Sequence, residues 1–291
     1  MRITSLLLLS GLPILLLGCG RRQDTPPEAP EVGGVTGESA SVAEQEERIH
    51  PEFSLTLPAL ELLLEDLPPA QRERILDEPR QFLELTAELL ETPEELLWLV
   101  DKEHPLPAEY EPRDLVELDT LEERLTLTRE GLSLRRLVLE DLLAMVGAAR
   151  EEGVELPISS TYRSYDYQEW LFDYWVEELG LEEAERSSAR PGTSQHQLGT
   201  TIDFGSISDA FAETDAGVWL AENGRRFGFS LSYPKGYEEL TGYKWESWHF
   251  RYLGRAATEM ERRFFGGIQQ RMLEFWSARR DELAEAWSGG P

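Results

Sequence analysis

A single cysteine, Cys19, is the feature that most constrains how this chain can fold. One cysteine excludes any disulfide within the chain, so a packed core or a bound metal has to stabilise the fold. The chain has 291 residues, of which 41% are hydrophobic, and this is enough apolar material for one substantial core. We therefore expect one main domain with smaller appendages.

The segment that precedes Cys19 is typical of an export signal. MRITSLLLLSGLPILLLGCG carries one positive charge, at Arg2, and then an apolar run that Gly11 and Pro13 interrupt. This run is too short for a comfortable membrane span, which needs about 20 apolar residues. The sequence LLGC at 16–19 resembles the bacterial lipobox, and this resemblance implies cleavage before Cys19 and acylation of its thiol. The alternative is a buried free thiol.

The segment after this cysteine predicts a flexible tether. Residues 19–50 are rich in Pro, Gly, Glu and Ser and poor in large apolar side chains, so they cannot offset the entropy cost of folding. With a signal peptide at 1–18, this pattern indicates an exported protein that a lipid anchors to the extracytoplasmic face of a bacterial membrane.

The charge of the chain excludes one class of partner. The formal net charge at pH 7 is −28, and nucleic-acid binding depends on Lys and Arg side chains that neutralise phosphates. We therefore expect no nucleic-acid partner.

Short helices punctuated by prolines are predicted from about 55 to 92. The following residues leave two interpretations open. Thr92, Pro93 and Glu95 form a helix-capping pattern, whereas LLWLV after them also suits a strand.

Farther along, helices and strands alternate. The spacing of apolar residues after Ser133, a possible helix cap, predicts a helix from about 134 to 151. An aromatic helix, YQEWLFDYWVEELG, is expected to end at Gly180, and further helices are expected at 216–227 and after Gly266 and Gly267. Three segments have strand patterns: LPISSTYRS, GFSLSYP and YKWESWHFRYL.

Two of the four histidines are candidates for chemistry. His50 lies at the end of the expected tether and His104 lies between charged residues and proline, which leaves His196 and His249. Together with Asp203 they would supply the three protein ligands of a catalytic zinc site. The spacing alone also fits a polar loop that happens to contain an imidazole.

Three ordered segments carry a family resemblance. They are STYRSYDYQ at 160–168, SQHQLGTTID at 194–203 and ESWHFRY at 246–252. Together they resemble the signature of the VanY-type D-alanyl-D-alanine carboxypeptidases, zinc metallopeptidases of the LAS group. The resemblance spans about residues 95–256, so we expect helical extensions at 51–94 and 257–291. The sequence departs mildly from the family pattern at Thr161, Gln195, Thr200 and Thr201.

The resemblance implies a fold, a cofactor and a substrate. The fold is a compact α+β domain with a small antiparallel sheet flanked by helices, and the substrate class is peptidoglycan stem peptides. The resemblance assigns the zinc ligands to His196, Asp203 and His249. It assigns the catalytic base to Glu246 and a substrate contact to Arg163, whose guanidinium group suits the terminal carboxylate or, in a catalytic role, the scissile carbonyl oxygen. The side chains of Gln168 and Ser194 suit hydrogen bonds to the substrate terminus, and equally a role as caps of a turn or helix.

One feature of this assignment constrains the local structure. On a regular strand, residues 246 and 249 point to opposite faces, so a bulge or a strand end has to lie between them.

Two alternatives to a D-alanyl-D-alanine carboxypeptidase remain at this stage. The same resemblance allows an L,D-carboxypeptidase or a D,D-endopeptidase that cleaves other bonds of the stem. A noncatalytic wall-binding lipoprotein could also keep the fold, since fold alone does not determine function. The presence of Glu246 and of all three ligand residues argues against that second alternative.

Overall fold

The structure of the protein, a computed structural model, describes residues 47–289. The expected signal peptide at 1–18, the expected lipidation site Cys19 and most of the expected tether lie outside the described residues. Where the described part begins, the backbone N–H of Ile49 donates to the carbonyl oxygen of Leu55 at 3.0 Å. Within residues 47–289, every helix is too short or too polar to pass through a bilayer.

Ten α-helices and seven short strands make up residues 47–289. The helices are α1 Leu57–Leu63, α2 Pro69–Asp77, α3 Pro79–Leu90, α4 Leu139–Glu151, α5 Tyr165–Leu179, α6 Leu181–Ser187, α7 Asp215–Asn223, α8 Glu238–Thr241, α9 Arg255–Phe264 and α10 Gln269–Ala286. The strands are β1 Leu115–Glu117, β2 Thr126–Leu127, β3 Ser133–Arg135, β4 Pro157–Ser160, β5 Thr201–Phe204, β6 Phe229–Leu231 and β7 His249–Tyr252.

The central sheet has five strands in the order β2-β4-β5-β7-β6. Strand β2 runs parallel to β4, and all other neighbouring strands of this sheet are antiparallel. Strands β1 and β3 form a separate antiparallel pair. The predicted α+β class is confirmed, and the parallel pair β2–β4 makes the central sheet mixed rather than purely antiparallel.

The helices before and after the sheet share its hydrophobic core. Phe82 of α3 packs edge-on against Phe264 of α9 and Phe275 of α10, with ring centroids 5.5 Å and 5.8 Å apart. These rings belong to the same cluster of buried side chains as Ile202 and Phe250 of the sheet. Burial of each such ring contributes about 1.5–3 kcal/mol, so both helical segments contribute to the stability of the sheet domain.

Several predicted helices are confirmed, and their ends have local causes. Helices α1, α2 and α3 all carry a proline at one of their first two positions, where its missing N–H costs nothing. Ser164 caps α5 by accepting the N–H of Tyr167, and Gly180 ends it with a φ of 80°. Of the two interpretations for the segment after Thr92, the helical one applies, because Glu94–Leu97 form a 3-10 turn.

The predicted helix at 134–151 begins five residues later than expected, at Leu139. The prediction was wrong because Leu134 pairs with Val116 in the β1–β3 hairpin-like pair, a contact that the local pattern does not contain. The N–H of Ser133 donates to Oγ1 of Thr161 at 3.0 Å, which also holds this segment extended.

Two further predicted elements are shorter than their patterns. The helix predicted at 216–227 is helix α7, which ends at Asn223, followed by a 3-10 turn Gly224–Phe227. The strand predicted in YKWESWHFRYL comprises only the four residues of β7.

Candidate metal centre and substrate cleft

Asp203 lies at the centre of the sheet, between β4 and β7. Its Cα pairs with that of Ser160 on one side and with that of His249 on the other. Paired residues of adjacent strands present their side chains on the same face. Oδ1 of Asp203 therefore lies 3.1 Å from Nδ1 of His249, and both side chains are buried.

His196 reaches the same place from a 3-10 turn, Gln195–Leu198, just before β5. Ser194 caps this turn, because its hydroxyl accepts the N–H of His196 at 3.3 Å. Gly199 ends the turn with a φ of 69°, and a Cβ at this position would lie 3.0 Å from the Leu115 side chain. The turn places Nε2 of His196 3.2 Å from Oδ2 of Asp203.

Hydrogen bonds on the far sides of the two rings determine which nitrogens face Asp203. Nδ1 of His196 donates to the carbonyl oxygen of Thr161 at 2.6 Å, which leaves Nε2 without a proton. Nε2 of His249 donates to Oε1 of Gln195 at 3.2 Å, so in the neutral form of this ring Nδ1 carries the lone pair. In their neutral forms both histidines thus direct a lone pair toward Asp203, the form in which histidine binds a metal.

The three side chains fit a zinc ion. Their potential ligand atoms lie within 4.8 Å of one another. Each histidine nitrogen lies within 3.2 Å of one carboxylate oxygen of Asp203, His196 beside Oδ2 and His249 beside Oδ1. Two imidazoles and a carboxylate are a usual ligand set for zinc. Nε2 of His196 and Oδ1 of Asp203 are buried without a hydrogen-bond donor or acceptor among residues 47–289, as expected of atoms that hold a cation.

Electrostatics within the cluster also favour a cation. Burial lowers the pKa of His196 to about 4, assisted by the positive charge of Arg163, so this ring is neutral at pH 7. Burial alone would raise the pKa of Asp203, but the two histidines outweigh it and hold that pKa well below its usual value. Burial also opposes protonation of His249, yet Asp203 and Glu246 raise its pKa, so a proton and a metal compete for Nδ1.

Glu246 lies beside this cluster, in the turn before β7. The N–H of His249 donates to the carbonyl oxygen of Glu246 at 3.2 Å, and the strand starts only at His249. The strand end that the sequence requires between these residues is therefore present. Oε2 of Glu246 lies 3.3 Å from Nδ1 of His249.

The environment of Glu246 changes its acidity. Burial raises the pKa of this carboxyl group, and the negative charge of Asp203 adds to that effect against the opposing influence of His249. A raised carboxyl pKa suits a group that takes a proton and returns it near neutral pH.

Arg163 also lies beside Asp203. Its Nη2 lies 3.6 Å from Oδ2 of that residue, and its backbone N–H donates to the carbonyl oxygen of His196 at 3.3 Å. Nε of Arg163 is buried without a hydrogen-bond acceptor within the described residues. The guanidinium group thus keeps hydrogen-bonding capacity beside the cluster.

The other two predicted substrate contacts also line the cleft, and both have structural roles. Gln168, on α5, donates from Nε2 to the carbonyl oxygen of Ala189 at 2.7 Å, while its buried Oε1 lacks a donor in the described part of the chain. Ser194 uses its hydroxyl oxygen to cap the turn that carries His196.

All of these side chains line one cleft of about 520 Å³. Sequence motifs did not indicate several other groups in its wall. The Tyr233 ring lies 4.7 Å from the His249 ring, and Arg129 donates from Nε to the Ser159 carbonyl oxygen at 3.2 Å. No short-range spacing pattern links Arg129 or Tyr233 to the three motifs, so only the folded chain identifies them.

Two curated relatives have sequences similar to this chain. The protein YodJ of Bacillus subtilis (strain 168) is 38% identical over 182 residues, which are 60% of this chain and 65% of YodJ. The chain thus matches less than two thirds of that relative. The bifunctional D-Ala-D-Ala dipeptidase and D-Ala-D-Ala carboxypeptidase VanXYC of Enterococcus gallinarum is 32% identical over 169 residues, 54% of this chain and 83% of that protein.

Two solved structures are similar in fold as well. The LdcB LD-carboxypeptidase, described in terms of peptidoglycan recognition, has a TM-score of 0.56 at 34% identity over 62% of this chain and 86% of that one. A mutant of the vancomycin-resistance D,D-pentapeptidase VanY from a VanB-type cassette, in complex with Zn(II), has a TM-score of 0.51 at 32% identity. That match covers 62% of this chain and 99% of the VanY chain.

The fold and the buried cluster, with these likenesses, define a metallopeptidase domain. The family model for VanY, D-alanyl-D-alanine carboxypeptidase, matches residues 131–255, which include all three motifs. The chain belongs to the VanY family.

Proposed function

We propose that this protein is a zinc-dependent D-alanyl-D-alanine carboxypeptidase that trims the stem peptides of peptidoglycan. One observation carries the proposal: His196, Asp203 and His249 bring potential ligand atoms within 4.8 Å of one another, and Glu246 lies beside them in the same cleft. The ligand atoms of His196 and Asp203 are buried without a hydrogen-bond partner among residues 47–289. A noncatalytic wall-binding protein would need neither the unpaired ligand atoms nor a buried acid with a raised pKa.

The proposed reaction is hydrolysis of the terminal amide bond. His196, Asp203 and His249 would hold the zinc ion, which would supply a Lewis acid for the carbonyl group and lower the pKa of bound water toward about 7. Glu246 takes a proton from the attacking water and gives it to the amine of the departing D-alanine. The new C–O bond replaces the C–N bond, so one water is consumed for each D-alanine released.

Arg163 is proposed to bind the negative charge of the substrate. A peptide that ends in D-alanine offers a terminal carboxylate, and its scissile carbonyl oxygen gains negative charge during attack. The planar guanidinium group suits either group, and its unpaired Nε provides a donor. Gln168 and Ser194 are proposed to contact the terminus of the substrate from the cleft wall.

The test is product analysis with defined stem peptides. The zinc-loaded protein is incubated with a pentapeptide that ends in D-Ala-D-Ala, with a tetrapeptide and with a cross-linked dimer, and the products are read by mass. Release of one D-alanine from the pentapeptide supports the proposal. No release from any of the three peptides by protein that contains zinc would contradict it.

A second candidate is an L,D-carboxypeptidase, which removes D-alanine from the tetrapeptide. The likeness to LdcB at a TM-score of 0.56 favours keeping this candidate. Both activities hydrolyse the amide bond to a C-terminal D-alanine. They differ in the stereochemistry of the residue before that bond. The ratio of kcat/KM for the pentapeptide to that for the tetrapeptide distinguishes them.

We also propose that the domain acts at a membrane surface, attached through an acylated Cys19. The apolar segment that ends in LLGC supports this proposal. Replacement Cys19→Ser should move the protein from the detergent phase to the aqueous phase in a phase-partition experiment on cell extracts. Unchanged partitioning of the variant would contradict the anchor.

A further inference from the structure

Exposed apolar side chains of the described residues cluster along helix α5 and at the start of α6. Within residues 47–289, nine large hydrophobic side chains are exposed, and five of them lie between residues 167 and 181. Three of these five are aromatic: Tyr167, Trp170 and Tyr174 of α5, of which Trp170 is 59% exposed. An apolar concentration of this kind on a highly charged surface is typical of a binding site.

The three rings form a continuous aromatic strip along α5. They follow one another at helical spacings of three and four residues, which places them on one face. The Trp170 and Tyr174 rings are nearly parallel, with an interplanar angle of 21° and centroids 6.1 Å apart. The Tyr167 ring lies 5.5 Å from that of Trp170. A flat ligand could therefore contact several ring faces at once.

The aromatic strip continues directly from the cleft. The cleft wall includes Tyr167, Leu171, Trp175 and Leu179 of the same helix. Tyr167 thus belongs both to the strip and to the cleft, so a substrate that leaves the cleft along α5 passes onto the ring faces of Trp170 and Tyr174.

The charges around the strip restrict the chemistry of its ligand. Residues 165–183 contain seven Asp or Glu residues and no Lys or Arg. Four of the acids border the rings and are exposed: Asp166, Glu169, Asp173 and Glu177. This surface repels anionic lipid and nucleic acid. A neutral ligand with an apolar face and hydroxyl donors complements it, because carboxylates accept hydrogen bonds from hydroxyl groups.

We propose that the strip of Tyr167, Trp170 and Tyr174 binds the glycan part of the substrate. A pyranose ring combines the required features: a face of C–H groups that packs on an aromatic ring, and hydroxyl groups at its rim. This inference rests on the proposed function, which puts a stem peptide in the cleft. The sugar chain to which that peptide is linked then lies along α5.

The first experiment compares two substrates with the same peptide. The double variant Trp170→Ala/Tyr174→Ala is assayed on a free pentapeptide and on the pentapeptide linked to a glycan strand. We expect kcat/KM for the glycan-linked substrate to fall about tenfold for each ring, and kcat/KM for the free peptide to stay within about twofold. Trp170→Phe keeps a ring and should retain most of the activity on the glycan-linked substrate.

A matched control separates the strip from apolar surface in general. Val218 is 46% exposed on α7, so Val218→Ala removes exposed apolar area away from α5. This variant should hydrolyse both substrates as the unchanged protein does. Equal losses of the double variant on both substrates, or no loss on either, would overturn the glycan assignment.

The second experiment does not depend on hydrolysis. Uncharged N-acetylglucosamine oligomers are titrated into the unchanged protein and into the double variant, and binding is measured by calorimetry. Saturable binding that the double variant weakens supports the strip even if no peptide is hydrolysed, and thus separates this inference from the proposed function. Absence of binding to the unchanged protein, or binding to phosphatidylcholine vesicles in place of glycan, would overturn it.

Discussion

The carboxamide groups of Gln195 and Gln269 meet inside the protein, with Nε2 of Gln195 3.4 Å from Oε1 of Gln269. Oε1 of Gln195 also accepts two hydrogen bonds. One comes from the ring Nε2–H of His249 at 3.2 Å, and the other comes from the hydroxyl group of Ser232 at 2.7 Å. Gln269 donates to the carbonyl oxygen of Ser230 at 3.2 Å, which fixes its orientation. A buried chain of hydrogen bonds thus runs from helix α10 to His249, a candidate metal ligand.

This chain of hydrogen bonds extends the candidate site beyond the residues that the family model matches. The family model ends at residue 255, whereas Gln269 is the first residue of α10. Amide side chains that orient a ligating histidine hold its ring and its tautomer in place, as outer partners of metal ligands do. Part of the support of the candidate metal centre therefore lies in helix α10.

Replacement of Gln269 should weaken metal binding, although its side chain does not itself belong to the proposed ligands and acts through Gln195. The variant Gln269→Leu keeps the volume of the side chain but leaves the Gln195 amide without its acceptor. We expect the Kd for zinc to rise about 10- to 100-fold, the usual effect of losing an outer partner. Zinc competition with a chromophoric chelator measures this change.

The neighbouring residue provides the control. Gln270 is also buried on α10, but it donates to Asp101 at 2.8 Å instead of to the site. Gln270→Leu should lower the melting temperature in the same way and leave the zinc Kd unchanged. Equal zinc affinities of the two variants would contradict a positioning role for Gln269.

The same contact shows what sequence alone can predict. Helix α5 was predictable because the serine cap at its start and the glycine at its end are local signals. Strand β4 was predictable because its apolar residues alternate with polar ones. The start of α4 was not, since Leu134 is held in a strand by Val116. The link between Gln195 and Gln269 spans 74 residues and has no motif, so it follows only from packing.

The candidate site divides in the same way. The three motifs indicated His196, Asp203, His249 and Glu246, and the structure brings all four side chains together. Tyr233 was missed, although its ring lies 4.7 Å from that of His249, because its position depends on the β6–β7 pairing and the loop after it.

Metal content should follow the three ligand residues. We expect the protein to bind about one zinc ion per chain, as a site with three protein ligands does, and His196→Ala to lose it. His104→Ala is the matched control, because this histidine is half exposed and contacts Asp101 instead of the cluster. Elemental analysis after gel filtration measures the stoichiometry. If His196→Ala retained zinc and His104→Ala lost it, the assignment of the zinc site to His196 would be wrong.

Arg163 should discriminate between substrates by their terminal charge. A hydrogen bond to a charged group contributes about 1.5–3 kcal/mol, so Arg163→Ala should lower kcat/KM for a pentapeptide with a free carboxylate about 10- to 150-fold. A C-terminally amidated pentapeptide should lose much less. Arg163→Lys keeps the charge without the planar fork and should give an intermediate value. Equal losses on both peptides would mean that Arg163 acts on the scissile carbonyl instead.

Glu261 should make stability depend on pH in a defined direction. It is fully buried beside Arg225, with Oε1 3.1 Å from Nη2, and burial raises its pKa above 4.5 in spite of that arginine. A carboxyl group with a raised folded-state pKa binds its proton more tightly when folded, so its contribution to stability grows as the pH falls through that pKa.

The variant Glu261→Gln removes this contribution. The melting temperature of the unchanged protein, relative to that of the variant, should therefore rise between pH 7 and pH 5. Thermal melts of both proteins at pH 7 and pH 5 give the difference between their melting temperatures at each pH. Titration of the other groups affects both proteins alike, so it cancels in this difference. A relative fall toward pH 5 would show that Arg225 dominates and that the pKa of Glu261 is lowered.

Glu246 should contribute to catalysis and not to metal binding. Glu246→Gln keeps the shape of the side chain but cannot accept a proton from water, and general acid and base participation contributes about 10² to 10⁴ in rate. We expect turnover on the pentapeptide to fall at least about 100-fold while zinc content and melting temperature stay near those of the unchanged protein. Glu261→Gln, a second buried glutamate outside the cleft, should keep its turnover. Near-normal turnover of Glu246→Gln would refute its role as the base, and loss of zinc together with turnover would make Glu246 a fourth ligand.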